Sequence, residues 1–265
     1  MHAQNIAMNK MNAFKFLLFL LPVFFFSCAS REKIAYYQNI EQVLSSDANA
    51  SFDTKLQPDD LLMIVVMAEN AEAAAPFNLP SLITQSNTEF DNQQMRINSY
   101  LIDSKGDIQF PIIGSLKLGG LTRSEAISKM ETALTKYIKD PKINLRILNF
   151  KITVTGEVKQ PGLRTINSER ITLVEALAMS GDLTEYGRRD NVMVIREKDG
   201  KKEIGRVDLT KADFISSPYY YLSQNDHVYV EPNKTKVNSS SVGPNTGIII
   251  SAISLLLTVV AIIIR

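Results

Sequence analysis

Hydrophobic and polar positions along this chain fall into three patterns. Continuous apolar runs lie near both ends, and the residues between them mix period-two alternation with two stretches of helical spacing. Near the start, Lys10 and Lys15 precede Phe16 to Phe26, followed by the small residue Ser27 and then Cys28. A short cationic region, an apolar core of ~11 residues and a small residue before a cut predict a secretory signal. Such a core is too short to cross ~30 Å of hydrocarbon as a helix. Near the other end, Gly247 to Ile264 carries no charge, and Arg265 follows. As a helix this segment rises about 27 Å, which predicts a transmembrane span over 247–265 in a thin bilayer. Its less hydrophobic members, Gly247, Ser251, Ser254, Thr258, Ala261 and Arg265, recur at alternating steps of four and three. They form one narrow seam on a helix otherwise covered by Ile, Leu and Val. Small and hydroxyl-bearing residues on one stripe let helices approach closely and hydrogen-bond across the contact, so this helix is expected to pack against copies of itself. The polar stretch Asn238 to Thr246 reads as a flexible linker that no helix continues through.

The segment from Ser51 to about Phe150 predicts one small α+β unit. Leu56 to Val66 is a turn feeding an apolar strand, and Ile97–Ile102 is a second strand. Asp103–Gly106 turns the chain into Ile108–Ile112 as its partner. Gly119-Gly120 breaks the chain before Thr122 and Glu125, which stand at capping-box spacing. Ile127, Met130, Leu134, Tyr137 and Ile138 then mark one face of a helix that must end before Pro141. Ile143, Leu145 and Ile147 alternate as a strand. Residues 68–95, rich in Ala, Asn and Gln, show no period and read as an insertion loop holding at most one short helix.

From Lys151 to Pro232 the pattern repeats loosely. Ile152–Val154 is a strand, and Pro161-Gly162 forms the tip of a turn. Thr172 and Glu175 open a second capped helix running through Leu177 and closed by Gly181. Val192–Arg196 and Glu203–Val207 flank Asp199-Gly200, a hairpin signal. Tyr219–Leu222 and His227–Glu231 complete the sheet. A small mixed sheet crossed by one helix fits a β-grasp arrangement.

Composition narrows the chemistry. The chain has 29 basic and 28 acidic residues; removal of 1–27 takes two lysines and no acid, leaving 27 against 28 and a formal charge of −1. No basic excess remains to follow a phosphate backbone, which disfavours nucleic acid as a partner. Cys28 is the only cysteine, and His227 is the only histidine after the signal. Neither a nucleophile triad nor a zinc site can be assembled from them in one subunit, and no cofactor is expected. Asp59-Asp60, following Pro58 at a strand entrance, reads as a turn that caps a backbone N–H. Gly119-Gly120 lacks the lysine and the strand–helix context of a phosphate loop. Tyr219 and Tyr221 are candidate glycan contacts, although alternation sends Tyr220 to the opposite face. The chain offers no enzyme.

Two resemblances give these elements a place. Cys28 directly after Ser27 resembles the lipobox of bacterial lipoproteins, which implies cleavage between Ser27 and Cys28 and lipidation of Cys28; the alternative is an ordinary signal with an incidental cysteine. The order Leu56-x-Pro-Asp-Asp-Leu61, Tyr100-x-Ile-Asp-x-x-Gly-x-Ile-x-x-Pro-x-Ile-Gly114, Gly120-Leu-Thr-x-x-Glu-Ala126 and Tyr137-Ile-x-Asp-Pro141 resembles the export domain of the bacterial polysaccharide export family, the Wza-type outer-membrane lipoproteins. Gly156-Glu-Val-x-x-Pro-Gly162, Thr172-Leu-x-Glu-Ala-Leu-Ala178 and Tyr221-Leu-x-x-x-Asp226 are similar to the SLBB β-grasp domain that follows it. Gly181-Asp182 departs from the family's frequent Gly-Gly. The resulting division is a signal over 1–27, a tether over 28–50, the export domain over 51–149, one SLBB domain over 150–232, a linker over 233–246 and the membrane helix over 247–265. The resemblance implies a ring of identical subunits carrying capsular or exopolysaccharide from periplasm to cell surface. It also implies an inner-membrane polysaccharide co-polymerase, often a tyrosine kinase, as a partner. Outer-membrane lipid would hold the chain, with its body in the periplasm. The alternative is an envelope lipoprotein that binds or scaffolds glycan without conducting it.

Overall fold

A computed structural model describes residues 32, 34–43, 55–80, 99–198, 200–241, 243 and 246–263. The signal segment 1–27, Ser27 and Cys28, most of the insertion loop and the start of the strand expected at Ile97 lie outside them. By internal contacts the chain divides into Met1–Ala35 and Tyr36–Arg265, and every strand and helix named below, from the short α1 (Ile40–Val43) onward, belongs to the second unit. The fold is mixed α+β, organised around two hydrophobic cores.

The first core is built on β1 (Leu61–Met67), β2 (Tyr100–Leu101) and β5 (Lys142–Ile147), an antiparallel sheet of order β2-β1-β5. Period two decides what is buried. Leu62, Ile64 and Val66 face inward opposite Ile147, Leu145 and Ile143. Helix α3 (Arg123–Leu134) lays Ala126, Met130 and Leu134 on this core. Its capping box forms as the spacing predicts, with Thr122 Oγ1 accepting from Glu125 N and Glu125 Oε2 accepting from Thr122 N. The regular helix stops at Leu134, earlier than the apolar spacing implied. Tyr137 N and Ile138 N both donate to Leu134 O, a turn that buries Ile138 and leaves Tyr137 about half exposed.

The first expected hairpin is overturned. β3 (Asp107–Phe110) pairs with β4 (Gly114–Lys117), not with the strand at 100–101. The Asp103 carboxylate accepts from Lys105 N and Asp107 N, a tight side-chain turn that ends the earlier strand. Pro111 has no N–H to continue a ladder, and Ile112 turns through φ 65° into Gly114. The start of the insertion is helical, as α2 (Ala71–Ala74) and a 3-10 turn over Ala75–Phe77.

The second core surrounds a five-stranded sheet of order β7-β6-β10-β8-β9, from β6 (Lys151–Gly156), β7 (Gly162–Thr165), β8 (Gly187–Lys198), β9 (Lys201–Val207) and β10 (His227–Pro232). β6 and β10 run parallel and the other pairs are antiparallel. Helix α4 (Leu173–Met179), opened by the Thr172–Glu175 capping box, buries Leu173, Ala176 and Leu177 against Ile152, Val154, Val228 and Val230. Gly156 sits where β6 leaves β10, at φ 90°, and a Cβ there would lie 2.1 Å from Val230 O.

Three further expectations are corrected. Tyr219–Leu222 is not a sheet strand; only Tyr221 bridges, to Thr172, after a 3-10 turn over Ala212–Ser216. The 233–246 linker is partly helical, as α5 (Lys234–Ser241). Asn233 Oδ1 caps it by accepting from Lys236 N, and the Ser239 and Ser240 hydroxyls donate back to Lys236 O and Val237 O, which relieves the competition serines offer to a helix. The tail forms α6 (Thr246–Ile263), 18 residues long. Among the described residues no helix is long and apolar enough to cross a membrane. The rise of about 27 Å falls short of the ~30 Å core of a typical bilayer, so the fold does not support the transmembrane helix expected over 247–265.

Gly156→Ala should cost at least ~2 kcal/mol, combining left-handed strain with a clash against Val230 O. Urea unfolding of the purified chain, followed by circular dichroism, measures this; a midpoint within error of the parent would contradict the packing described.

Candidate functional site

Polar and aromatic side chains gather in the segment preceding β10. Asp226 is fully buried at the strand's entrance. It accepts from Ser223 N at 2.7 Å and, through both oxygens, from Arg196 on β8: Nε at 3.0 and 3.2 Å, and a terminal nitrogen at 2.7 Å. Burial raises the Asp226 pKa, while Arg196 and the Ser223 N–H oppose the rise. The same guanidinium donates to Pro218 O at 3.1 Å and Tyr221 O at 2.9 Å. One arginine therefore ties both ends of the tyrosine segment to a buried carboxylate.

Each ring in that segment has a partner. Tyr219 lies 5.2 Å below the Arg196 guanidinium, against Gly205 of β9, where a Cβ would meet its ring at 2.2 Å. Tyr220 packs edge-on to Tyr221 at 4.8 Å and beside Phe214 at 6.0 Å. Burial raises its pKa, with Tyr221 and Glu175 adding to the rise and Arg170 opposing it. Tyr221 has the Arg170 guanidinium 5.5 Å from its centroid. None of the three is in the core; all are half-buried. Of the two sequence candidates, Tyr219 is enclosed between an arginine and a glycine, whereas Tyr221 pairs with an exposed arginine at the surface.

A strap from the N-terminal side extends this corner. Tyr37 packs on Phe214 at 5.2 Å, Gln38 N donates to Thr210 O, and Asn39 accepts from Ala212 N while donating to Asp213. Tyr36 donates to Asp182 at 2.7 Å and lies under Arg189. Burial, together with the Asp182 carboxylate, pushes the Tyr36 hydroxyl pKa up strongly. The aspartate that departs from Gly-Gly at the end of α4 is thus the strap's acceptor.

The remaining sequence candidates are distributed elsewhere. Gly247, Ser251, Ser254 and Thr258 stay in register on one exposed face of α6, and Ala261 falls within the same helix. Ser251 donates to Gly247 O and Thr258 to Ser254 O, each at 2.8 Å, so these hydroxyl protons are used inside the helix. His227 shares a hydrogen bond of 2.7 Å with Thr155 across the parallel strand pair. Asp60 caps Gln57 N, as its turn context implied. Among the described residues no group of His, Cys, Asp and Glu is arranged to hold a metal ion. An apolar cleft between β1 and α2, lined by Val66, Met67, Ala71, Ala74 and Leu79, has one polar side chain, Asn78, whose amide is already bonded to Val66. Periodicity did not single out Arg196, Arg170, Tyr36 or Asp182, because their partners lie far away in sequence.

An antiparallel three-stranded sheet with a capped helix is thus followed by a five-stranded mixed sheet crossed by a second capped helix. Residues 48–148 match the family described as polysaccharide biosynthesis/export protein, and residues 150–230 match the SLBB domain. Together the two matches support a polysaccharide export family protein, a family of transport or scaffold proteins. Over 156 residues it is 32% identical to the EPS I polysaccharide export outer membrane protein EpsA of Ralstonia solanacearum, covering 57% of this chain and 41% of that one. A protein of the same name from Ralstonia nicotianae is 29% identical over 194 residues, covering 71% of this chain and 50% of that one. The chain therefore spans at most half the length of these curated relatives.

Arg196→Met should destabilise the β-grasp core by about 3 kcal/mol, because it leaves Asp226 buried and unpaired. Adding Asp226→Leu should recover a substantial part of that loss. Unfolding of the single and double variants measures both effects; a double variant no more stable than the single would refute the assignment of Asp226 as the stranded charge.

Proposed function

We propose that this protein is a subunit of an outer-membrane apparatus that exports an extracellular or capsular polysaccharide. One observation carries the reading: an export domain and an SLBB domain in that order, in a chain similar to proteins named as polysaccharide export outer membrane proteins. The mechanism is passive passage through a ring of copies, with polymer supplied by an inner-membrane co-polymerase or tyrosine kinase. Lipidation at Cys28 holds the chain to the outer membrane, and its body occupies the periplasm. Tyr221, with Arg170 above it, is the glycan-facing pair, while Tyr219 supports the corner from beneath.

Helix α6, apolar over most of its exposed surface, packs against its copies. The Gly247–Ala261 seam provides close approach, and of its hydroxyls Ser251 and Thr258 spend their protons internally. The short helix also favours a second reading, in which α6 only anchors a non-conducting glycan scaffold.

Deleting the gene should abolish surface polysaccharide while polymer continues to be made and accumulates inside; unchanged surface polymer would refute export. Replacing Ser251, Ser254 and Thr258 together by Leu should weaken assembly at least tenfold, read as the particle size of the detergent-extracted protein. A parent protein that is monomeric under the same conditions would favour the scaffold.

A further inference from the structure

Only residues 148–150 separate β5 of the export core from β6 of the β-grasp core, and side-chain amides hold this crossing. Asn149 Oδ1 accepts from Leu61 N at 2.9 Å, and its Nδ2 donates to Asp59 O at 2.8 Å, both on the export side. From the β-grasp side, Gln224 Nε2 donates to Asn149 O at 3.0 Å while its Oε1 accepts from Lys151 N at 2.8 Å. Asn225 N closes the same turn on Lys151 O. The direct ion pair between the two sides, Arg123 with Glu169 at 3.4 Å, is well exposed and contributes little. The two amides therefore supply the side-chain hydrogen bonds of the crossing, beside Ile147, which packs against both cores.

Asp60 lies beside this crossing, 1% exposed. Its Oδ2 accepts from Gln57 N at 2.8 Å, but Oδ1 is buried with no hydrogen-bond partner in the structure. We propose that Asp60, Asn149 and Gln224 form a proton-operated latch, closed when Asp60 is neutral and loosened when it ionises.

The physical basis is the cost of a buried charge. Burial pushes the Asp60 carboxyl pKa up to about 6. The Gln57 N–H and the Gln224 side chain act against that rise, and Asp59, the charged group that acts on it, adds to it. Loss of the proton to solvent leaves a charged oxygen lacking a donor, and opening the crossing relieves this by admitting water.

The sign follows from linkage. The closed form titrates near 6 and an opened, hydrated Asp60 near its ordinary value of about 4. Closing is fully favoured below about pH 4, weakens as pH rises through 6, and changes no further above it. The ratio of closed to open should fall by up to ~100-fold across that window.

Residue-resolved hydrogen exchange on the full chain in detergent tests this. The reporters are the Leu61 and Lys151 amides, which the two side chains hold, corrected for intrinsic exchange and compared with Val194 at the sheet centre. Their protection should drop tens-fold between pH 4.5 and pH 7 while Val194 is unchanged. In Asp60→Asn protection should stay high at both values. Junction amides that track Val194 in the parent protein, or a pH dependence that survives in Asp60→Asn, would overturn the latch. Should that variant not fold, the parent profile decides alone, because a midpoint outside pH 4–6 excludes Asp60.

Discussion

Backbone N–H and C=O groups that leave a sheet must find partners once buried, and in this protein short polar side chains supply them. Asn78 gives Val66 both an acceptor and a donor, beyond the two residues of β1 that β2 pairs with. Asp103 takes two N–H groups at the turn into β3, Asn39 serves Ala212, and Asp226 serves Ser223. Asn149 and Gln224 do the same where the chain crosses between cores. Each such bond contributes only about 1 kcal/mol net, but leaving its buried group unpaired costs ~1–3. The loops therefore hold their shape because the alternative is an orphaned amide. This also explains why two sheets joined by three residues keep separate, well-packed cores.

The same reasoning ranks the charges. Arg188, Arg206 and Glu231 pair on the surface, where solvent reduces each bridge to a fraction of a kcal/mol. Arg196 and Asp226 are different, because the carboxylate is wholly buried and the guanidinium nearly so. Desolvating them opposes their attraction, and the arginine offsets part of that cost by also satisfying Pro218 O and Tyr221 O. The pair thus specifies where the tyrosine segment lies more than it adds to stability. Asp60 is the converse case, a buried carboxyl with no cation opposite it, and its proton affinity rises accordingly.

Much of this was legible in the chain. The two capping boxes, the alternation of Ile143, Leu145 and Ile147, and the hairpin around Gly200 are local signals, and local hydrogen bonding and burial fulfil them. Failures occurred where local signals competed. Ile108–Ile112 had two possible partners, and the turn at Asp103 together with the left-handed Ile112 selected the later one. Serines and an asparagine before the tail read as linker, yet a cap at Asn233 and hydroxyls bonded back to carbonyls make a helix of them. Tyr219 and Tyr221 were visible as aromatics, but their arginines come from positions 196 and 170, and no periodicity links those to a loop at 219. The strap's contact with Asp182 spans 146 positions and is invisible to any window.

The fold also dictates how load would pass through the molecule. The tail leaves from β10, which lies between β6 and β8 and not at an edge. Beyond it, Asn233 N bonds to Tyr186 O, and Lys236 stacks on Tyr186 with Glu157 nearby, so the start of α5 is held to the β-grasp core. A pull on the tail must therefore shear two ladders at once, whereas an edge strand would peel from one. The strap at Tyr36–Asn39 docks on this same core, beside the 3-10 turn at Ala212. Both the strap and the start of α5 are therefore held to the β-grasp core, while Asn149, Gln224 and Ile147 connect that core to the export core.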